Sequence, residues 1–169
     1  VRVRPMRTVR LLVSYNGLYF YGWQRQDGFM TVQQALEEGA AALLNECVVV
    51  QGAGRTDGGV HALRQVAHVQ LETDLDDVTL RHAWNAHLVE GVVIRRIETC
   101  DPDFHARFDA RGKRYLYRVQ TARFRPPIGD GYAHWLRAPL DLGAMREAAA
   151  QLVGRHDFAA FGNTGRYAT

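Results

Sequence analysis

The residues best suited to chemistry lie together in one glycine-rich segment, residues 54–62. It carries an acid, Asp57, and a cation, Arg55, two positions apart and surrounded by three glycines. Glycine adopts backbone angles that other residues avoid, so we expect a loop that turns sharply and approaches a ligand closely. Arg55 would pair with the carboxylate, hold it ionised and still offer donors to a phosphate or a base. An Asp in an ordinary surface turn is the alternative, and it is the commoner situation for an isolated Arg-Thr-Asp-Gly.

Four further motifs accompany this loop. They are residues 21–26 followed by residues 31–33, residues 104–108, residues 113–117 and residues 156–161. Together with the loop they resemble the signature motifs of the tRNA pseudouridine synthase A family, which are FxGWQxQ with TVQ, GRTDxGVHA, FHARF, RRYxY and DFxxF in that order. The resemblance implies that Asp57 is the catalytic carboxylate, that Arg55 supports it and that Tyr115 stacks on the target base.

The resemblance also implies an activity, a partner and an assembly. Members of the family isomerise uridine to pseudouridine in the anticodon stem-loop of tRNA, act in the cytoplasm as homodimers and need no cofactor or metal. The reaction breaks the bond between ribose C1′ and N1 of uracil, turns the base and joins C5 to C1′. Nothing is oxidised, which agrees with a sequence that has no GxGxxG, P-loop or HExxH motif.

An ionised Asp57 offers three routes to this chemistry. It could attack the sugar at C1′, attack the base at C6, or remove the C2′ proton to give a glycal, and the last of these is general-base work. The sequence leaves all three routes open.

Access to the base predicts further binding residues. A uridine stacked in an RNA stem must be turned outward before any side chain reaches its glycosidic bond. Stacking on an aromatic ring stabilises the base that has been turned outward by about 1–3 kcal/mol. We assign this role to Tyr115, with Lys113 beside it, and a core tyrosine in a strand is the alternative. Arg107 would bind phosphate or support Asp57 through packing and hydrogen bonds, and we favour support.

Other residues of the motifs are expected in structural or peripheral roles. His61 could be a general acid, but a His beside such a loop is more commonly a hydrogen-bonded structural residue, and we favour that role. We expect Tyr21 and Trp23 in or near the core and residues 24–26 on the RNA side. Asp157 is expected at a turn or a helix end rather than as a second catalytic acid.

Composition bounds the class of protein. The chain has 169 residues, of which 47% are hydrophobic and 23% charged, as expected for a globular protein with a core. No apolar run approaches the ~20 residues that span a bilayer, and the first residues lack the apolar stretch of a signal peptide, so we expect a cytoplasmic protein without a membrane partner. Cys47 and Cys100 have no CxxC partners, and we expect two core or near-core thiols rather than a disulfide or a metal site.

The basic side chains suit an anionic partner. The net charge is +3, and Lys113 is the single lysine among 21 lysine and arginine residues. The guanidinium fork of arginine suits bidentate contacts to phosphate and stacking on bases. A GC-rich genome produces the same bias, and we give the two explanations equal weight because the arginines are spread along the whole chain.

Hydrophobic periodicity predicts an α+β fold. The predicted strands are residues 9–15, 47–50, 65–71 and 92–98, and the predicted helices are residues 31–44 and 80–88. Thr31 with Gln34 predicts a capping box at the first helix. The order β-α-β-β-α-β is ferredoxin-like, with a mainly antiparallel sheet of the kind that also underlies RNA-recognition modules.

The rest of the chain is expected to begin a second half of related plan. We expect a strand over residues 113–120, a loop over residues 126–131 and a helix over residues 141–153. The resemblance implies an N-terminal domain over residues 1–103 that carries the Asp loop, and the start of a C-terminal domain over residues 104–169. The last part of the family's second half is absent, and ending at Thr169 would leave a sheet edge open. We expect the native protein to continue, because the sequence of residues 163–169 shows no terminating element such as a capped helix.

Two alternatives to an active isomerase stay open, and a third is excluded. A non-catalytic RNA-binding module would use the same sheet, arginines and Tyr115, and an inactive truncated fragment would keep the fold without the activity. An Asp-dependent phosphotransferase would need further acids to hold magnesium, and none surrounds Asp57 in the sequence. The sequence departs from the family at Gly58, where Ala is common, and at residues 87–92, which lack a Pro-Asp pair. Asp57 and Arg55 are intact, which favours the isomerase.

Overall fold

The computed structural model describes residues 4–162, and the chain divides after Tyr115 into two compact units. The first contains β1 (Met6–Tyr15), a 3₁₀ turn (Gly17–Tyr19), α1 (Val32–Leu44), β2 (Gln51–Gly52), β3 (Ala62–Glu72), α2 (Asp77–Asn85) and β4 (Val92–Thr99). The second contains β5 (Val119–Thr121), β6 (His134–Leu136), α3 (Leu142–Ala150) and a 3₁₀ turn (Ala159–Phe161). The domain boundary after residue 103 stays a prediction.

The four strands of the first unit form one antiparallel sheet in the order β2-β3-β1-β4. In β1, Leu11 lies opposite Ala67 of β3 and Ile97 of β4. Side chains of directly paired residues point to the same face of a sheet, so the apolar positions of these strands form one surface. The predicted β-α-β-β-α-β order and the α+β fold with a mainly antiparallel sheet are confirmed.

The apolar face of the sheet and the two helices of the first unit share one core. Leu36 of α1 and Leu80 and Trp84 of α2 are fully buried in the same cluster as Leu11. The Trp84 indole N–H donates to the Leu36 carbonyl oxygen at 3.0 Å, which satisfies a polar group inside the core. Helix α2 begins three residues earlier than predicted, because the Asp76 side chain caps its first turn, and it also ends three residues earlier.

The two ends of α1 have different caps. Thr31 is the N-cap, and its side chain accepts the backbone N–H of Gln34 at 3.3 Å. Only this half of the predicted capping box forms, because the Gln34 amide donates to Glu38 at 2.8 Å instead of returning to residue 31. Asn45 ends the helix in the left-handed conformation, with φ of 55°, which asparagine tolerates better than most residues.

The segment before β2 differs from the prediction. The ladder is limited to Gln51–Gly52, and the preceding residues alternate, so that Val48 and Val50 are buried while Cys47 is exposed. The prediction of a core thiol is therefore wrong for Cys47, because the alternation directs its side chain outward. Cys100 is half-buried, and burial raises the pKa of its thiol.

The strand predicted over residues 113–120 is wrong for most of its length. Among the described residues no strand pairs with residues 113–117, and only β5 forms, in a parallel pair with β6. Tyr115 and Tyr117 are both exposed. A period-two pattern produces a strand only where a neighbouring chain satisfies its backbone groups.

Helix α3 of the second unit has no buried face. It begins after Asp141, whose side chain accepts the Ala144 N–H at 3.0 Å, and it is shorter than the predicted helix over residues 141–153. Its apolar stripe, which includes Leu142 and Met145, stays exposed. Further on, Asp157 accepts the Ala159 N–H at 2.9 Å, as expected for a turn residue. No helix within residues 4–162 is long and apolar enough to cross a membrane.

Candidate active site

The glycine-rich loop joins β2 to β3 at the edge of the sheet, and its beginning is tied to β3. The Ala53 N–H donates to the Val66 carbonyl oxygen at 2.8 Å, and the Gln65 amide donates to the Gly54 carbonyl oxygen at 2.6 Å. Lys113 lies against Gly54, so closely that a Cβ at this glycine would collide with its ammonium group. The fold therefore brings Lys113 to the loop from a position far along the chain.

Thr56, the residue before Asp57, is held by both its backbone and its side chain. Its carbonyl oxygen accepts the Trp23 N–H at 3.0 Å, and its hydroxyl lies 2.8 Å from the hydroxyl of Tyr15. Gly22 has φ of 92°, and a Cβ there would lie 2.7 Å from the Thr56 carbonyl oxygen, so the approach requires glycine. Thr56 is thus anchored to the end of β1 and to the segment before α1.

The hydroxyl pair of Tyr15 and Thr56 lies beneath the loop. Burial raises the pKa of Tyr15, the hydrogen bond with Thr56 opposes that shift, and the nearby Tyr115 adds to it. Tyr15 therefore stays neutral at physiological pH and keeps its hydroxyl proton. Tyr115 itself is 62% exposed, so the alternative of a core tyrosine is excluded.

A turn follows Asp57 and directs the chain into β3. The Val60 N–H donates to the Asp57 carbonyl oxygen at 3.2 Å, and Gly59, with φ of 80°, occupies the turn position that requires a positive φ. His61 then accepts the Gly17 N–H at its Nδ1 atom, 3.1 Å away. This bond links the His61 ring to the 3₁₀ turn after β1, which agrees with the structural role expected for His61.

Asp57 and Arg55 are both exposed on this anchored loop. Within residues 4–162 no ion pair joins them, so the predicted pairing is absent from this structure. Two exposed charges gain little from pairing in water and lose side-chain freedom when they pair, so solvation of each charge prevails. The Asp57 carboxylate therefore projects from a fixed backbone into solvent.

The FHARF-like segment packs on the sheet rather than on the loop. Its Ala106 N–H donates to Nδ1 of His68 at 3.1 Å, and the ring centroids of His68 and His105 are 4.6 Å apart. Arg107 is exposed, and its backbone N–H donates to Nδ1 of His105. Among the described residues nothing joins the Arg107 side chain to Asp57, so the predicted support of Asp57 does not take the form of a direct contact.

A cavity of about 470 Å³ lies away from the loop. Its lining includes His68, His105 and residues of β2 and β3, and it contains none of residues 54–61. Across the described part of the chain, no group of three or more His, Cys, Asp or Glu side chains could hold a metal ion. Asp57 lies instead on an exposed loop, and such a site suits a macromolecule better than a small ligand, which binds in a concave pocket.

The prediction that Tyr21 lies in or near the core is wrong, whereas that for Trp23 is confirmed. Trp23 is only 2% exposed, and its ring covers Gly52, where a Cβ would lie 2.5 Å from the ring. Tyr21 is 62% exposed and contacts Phe29, with ring centroids 4.5 Å apart. Gly22, which lies between the two aromatics, has a positive φ, and this glycine is a signal in the sequence that the backbone departs there from a regular strand.

Two of the three residues expected on the RNA side have partners within the chain. Arg25 forms an ion pair with Glu37 at 2.8 Å, and the hydrogen bond between them raises the pKa of Arg25. Glu37 is buried and also accepts the Val50 N–H at 3.1 Å. The Gln26 amide donates to the Tyr21 carbonyl oxygen. We therefore assign Arg25 and Gln26 to the structure of the segment before α1.

Comparisons with known proteins identify the family to which the residues around the loop belong. The family model described as tRNA pseudouridine synthase matches residues 11–109, which include the second half of β1, α1, the Asp57 loop and the FHARF-like segment. A tRNA pseudouridine synthase A of Agrobacterium fabrum is 45% identical over 159 residues, which are 92% of this chain and 60% of the relative. Proteins of the same name from Neisseria meningitidis serogroup B and Sinorhizobium medicae are 46% and 44% identical over 89% and 97% of this chain.

The matched relatives are longer than this chain. It spans 60% of the Agrobacterium protein, 57% of the Neisseria protein and 68% of the Sinorhizobium protein. The family model nevertheless covers more than half of this chain, and the match includes the whole loop that carries Asp57. On these grounds the chain belongs to the tRNA pseudouridine synthase family.

Proposed function

We propose that this chain isomerises uridine to pseudouridine in the anticodon stem-loop of tRNA, with Asp57 as the catalytic carboxylate. The observation that carries the proposal is the exposed Asp57 side chain on a loop whose flanking backbone is hydrogen-bonded on both sides. Membership of the family supports the reaction class. Because the chain spans less than two thirds of the Agrobacterium relative, the activity, the substrate and the partner are proposals for this chain.

The anchored backbone supports a catalytic role for Asp57. The bonds of Thr56 and Val60 limit movement immediately before and within the turn that follows the carboxylate. A fixed reacting group needs less ordering when the substrate binds, which lowers the barrier to the chemical step. Attack at C1′, attack at C6 and removal of the C2′ proton all use an ionised carboxylate in a fixed position.

The residues around the loop would hold the RNA. Tyr115 is exposed and would stack on the uracil that has been turned out of the stem, which returns about 1–3 kcal/mol. Lys113 lies against the loop and would place a positive charge near the phosphates on either side of that uridine. Arg55 would orient the substrate at Asp57 through its guanidinium donors. Arg107, exposed beside the sheet, would bind a phosphate.

Further features of this proposal come from the family resemblance. The protein would act in the cytoplasm, where its tRNA substrates are, without a cofactor, and as a homodimer whose joint basic cleft holds the tRNA. Residues 1–103 would form the N-terminal domain and residues 104–169 the start of the second. The net charge of +3 suits an RNA partner.

The experiment measures tritium released from tRNA labelled with [5-³H]uridine, because the C5 hydrogen is lost when C5 bonds to C1′. This chain, Asp57→Asn and the matched control Asp103→Asn are compared, and RNA binding is recorded for all three. Asp103 is also an exposed aspartate but lies outside the loop. We expect release from the wild type and from Asp103→Asn, no release from Asp57→Asn, and the same RNA affinity for all three.

Two results would contradict this expectation in different ways. Release that persists in Asp57→Asn would remove Asp57 from the catalytic role. Binding without release by the wild type would favour the RNA-binding module for this chain. The same assay on a longer chain would then distinguish an inactive fragment from a family member that has lost the activity.

A further inference from the structure

A small hairpin lies beside the glycine-rich loop. A β-bridge joins Gln26 to Phe29, and Gly28, with φ of 79°, lies in the turn between them. The Tyr21 N–H donates to the Met30 carbonyl oxygen at 2.9 Å, and the Gln26 amide donates to the Tyr21 carbonyl oxygen at 2.8 Å. The first of these bonds joins the two arms of the hairpin, and the second links Gln26 to Tyr21 within the first arm.

Two aromatic rings lie together on the surface of this hairpin. Tyr21 is 62% exposed and Phe29 is 47% exposed, and their ring planes are inclined by 44° with centroids 4.5 Å apart. Trp23 and Trp84 of the same unit are buried. Two large apolar rings exposed side by side form a surface whose burial by a ligand is energetically favourable.

The backbone of Tyr21 packs against the loop that carries Asp57. A Cβ at Gly58 would lie 3.7 Å from Cα of Tyr21, which is van der Waals distance. A Cβ at Gly22 would lie 3.3 Å from the carbonyl carbon of Asp57. The backbone that carries the Tyr21 ring is therefore in contact with the loop, so an RNA bound at Asp57 would pass close to the aromatic pair.

The size and surroundings of the pair favour a nucleobase as its occupant. A stable protein interface buries more than about 1,000 Å² in total, whereas these two rings stand among exposed polar side chains, including Gln24 and Asp27. Two aromatic rings flanked by polar side chains suit a single planar base better than a protein surface of that size. When a uridine is turned out of a stack, the neighbouring base loses a stacking partner, and an aromatic ring replaces it.

We propose that Tyr21 and Phe29 form a stacking site for an unpaired base that neighbours the uridine presented to Asp57. The inference rests on the proposed function, because it requires that the Asp57 loop meets an RNA. Every base has a π face, so this site adds affinity without selecting a sequence. Trp23, two residues after Tyr21, is buried and takes no part in this site.

The test uses an RNA stem-loop with 2-aminopurine next to the target uridine, since stacking on an aromatic ring quenches this base. Tyr21→Ala and Phe29→Ala are compared with two controls. Tyr21→Phe keeps the ring, and Met6→Ala truncates an exposed apolar side chain at the first residue of β1, away from the hairpin. We expect each of the first two variants to weaken RNA binding about 10-fold and to lose quenching. Tyr21→Phe and Met6→Ala should behave as the wild type.

The dependence of affinity on salt separates stacking from phosphate contacts. Loss of a stacking ring should leave the slope of log K against log salt unchanged, whereas loss of a phosphate contact reduces it. Unchanged quenching and affinity in Tyr21→Ala and Phe29→Ala would overturn the inference, as would a wild type that binds no RNA. Ring-dependent quenching by a wild type that releases no tritium would support the stacking site and remove the proposed activity.

Discussion

Helices α1 and α3 both carry an apolar stripe, yet only the stripe of α1 is covered. Val32, Leu36 and Ala40 of α1 are fully buried, whereas Leu142 and Met145 of α3 are 55% and 48% exposed, and no residue of α3 is buried in the described chain. The spacing of apolar residues along the sequence predicts which face of a helix is apolar. Neighbouring elements decide whether that face contributes to stability.

The local signals of the two helices are alike. Thr31 caps α1 and Asp141 caps α3, and each side chain accepts a backbone N–H three residues further on. The helices differ in what surrounds them, because α1 packs in one core with α2 and the sheet, whereas the second unit offers only the short β5–β6 pair and turns among its described residues. The contrast between the units is therefore one of packing and not of helix propensity.

The largest difference is expected when the same substitution is made in both stripes. Leu36→Ala removes a fully buried side chain and should lower the free energy of unfolding by about 2–5 kcal/mol. Leu142→Ala truncates a half-exposed side chain and should change it by less than about 0.5 kcal/mol. Urea unfolding followed by circular dichroism measures both values. Equal losses would mean that α3 is covered in solution and would break the comparison.

Two helix glycines should respond to alanine with opposite signs. In α1, a Cβ at Gly39 would lie 2.8 Å from Leu88 and 3.2 Å from the Trp84 ring, whereas in α3 a Cβ at Gly143 would meet only the Asp141 carboxylate, at 3.1 Å. Gly39→Ala should cost about 1–2 kcal/mol through overpacking. Gly143→Ala should increase the helicity of α3, because Ala is favoured over Gly by about 1 kcal/mol in a helix.

Thermal unfolding and circular dichroism check this pair of glycines. The midpoint temperature of unfolding is compared between the wild type and Gly39→Ala. The helical circular dichroism signal is compared between the wild type and Gly143→Ala. A Gly39→Ala variant more stable than the wild type would show that the side chains of α2 move aside, and the core of the first unit would then be less tightly packed than the structure indicates.

The smallest expected effect is a pH dependence that arises in the first unit. Burial lowers the pKa of His68 below its usual value of 6.5, the charge of His105 adds to this shift, and the backbone of Gln51 and the Asp109 carboxylate oppose it. The unfolded chain therefore binds a proton that the native chain does not. The free energy of unfolding should be fully maintained above pH 6.5 and should fall as the pH drops below it.

Urea midpoints measured across this pH range test the assignment to His68. His68→Gln should flatten the profile, whereas His156→Gln, at an exposed position of the second unit, should leave it as in the wild type. A wild-type profile that stays flat below pH 6.5 would show that the native state of the first unit protonates His68 as readily as the unfolded chain does.

Local patterns predicted much of the first unit. The strand expected over residues 92–98 is β4, and in the strand expected over residues 65–71 the alternate residues Ala67, Val69 and Leu71 are fully buried. A period-two pattern succeeds here because the requirement to bury one face produces it. The same pattern misled over residues 113–120, because a strand also needs a partner and the pattern of a single segment does not supply one.

For the candidate site, the sequence by itself determined which residues are available for chemistry and which family they belong to, because residue types, spacing and motif order are properties of the chain. Only the tertiary structure decided that Tyr21 is exposed, that no ion pair joins Arg55 to Asp57 and that Lys113 lies against the loop. The backbone conformation at a glycine, the competition between solvation and an ion pair, and contacts between distant residues decided these outcomes. Each of them depends on neighbours in space, which a local pattern of residues does not contain.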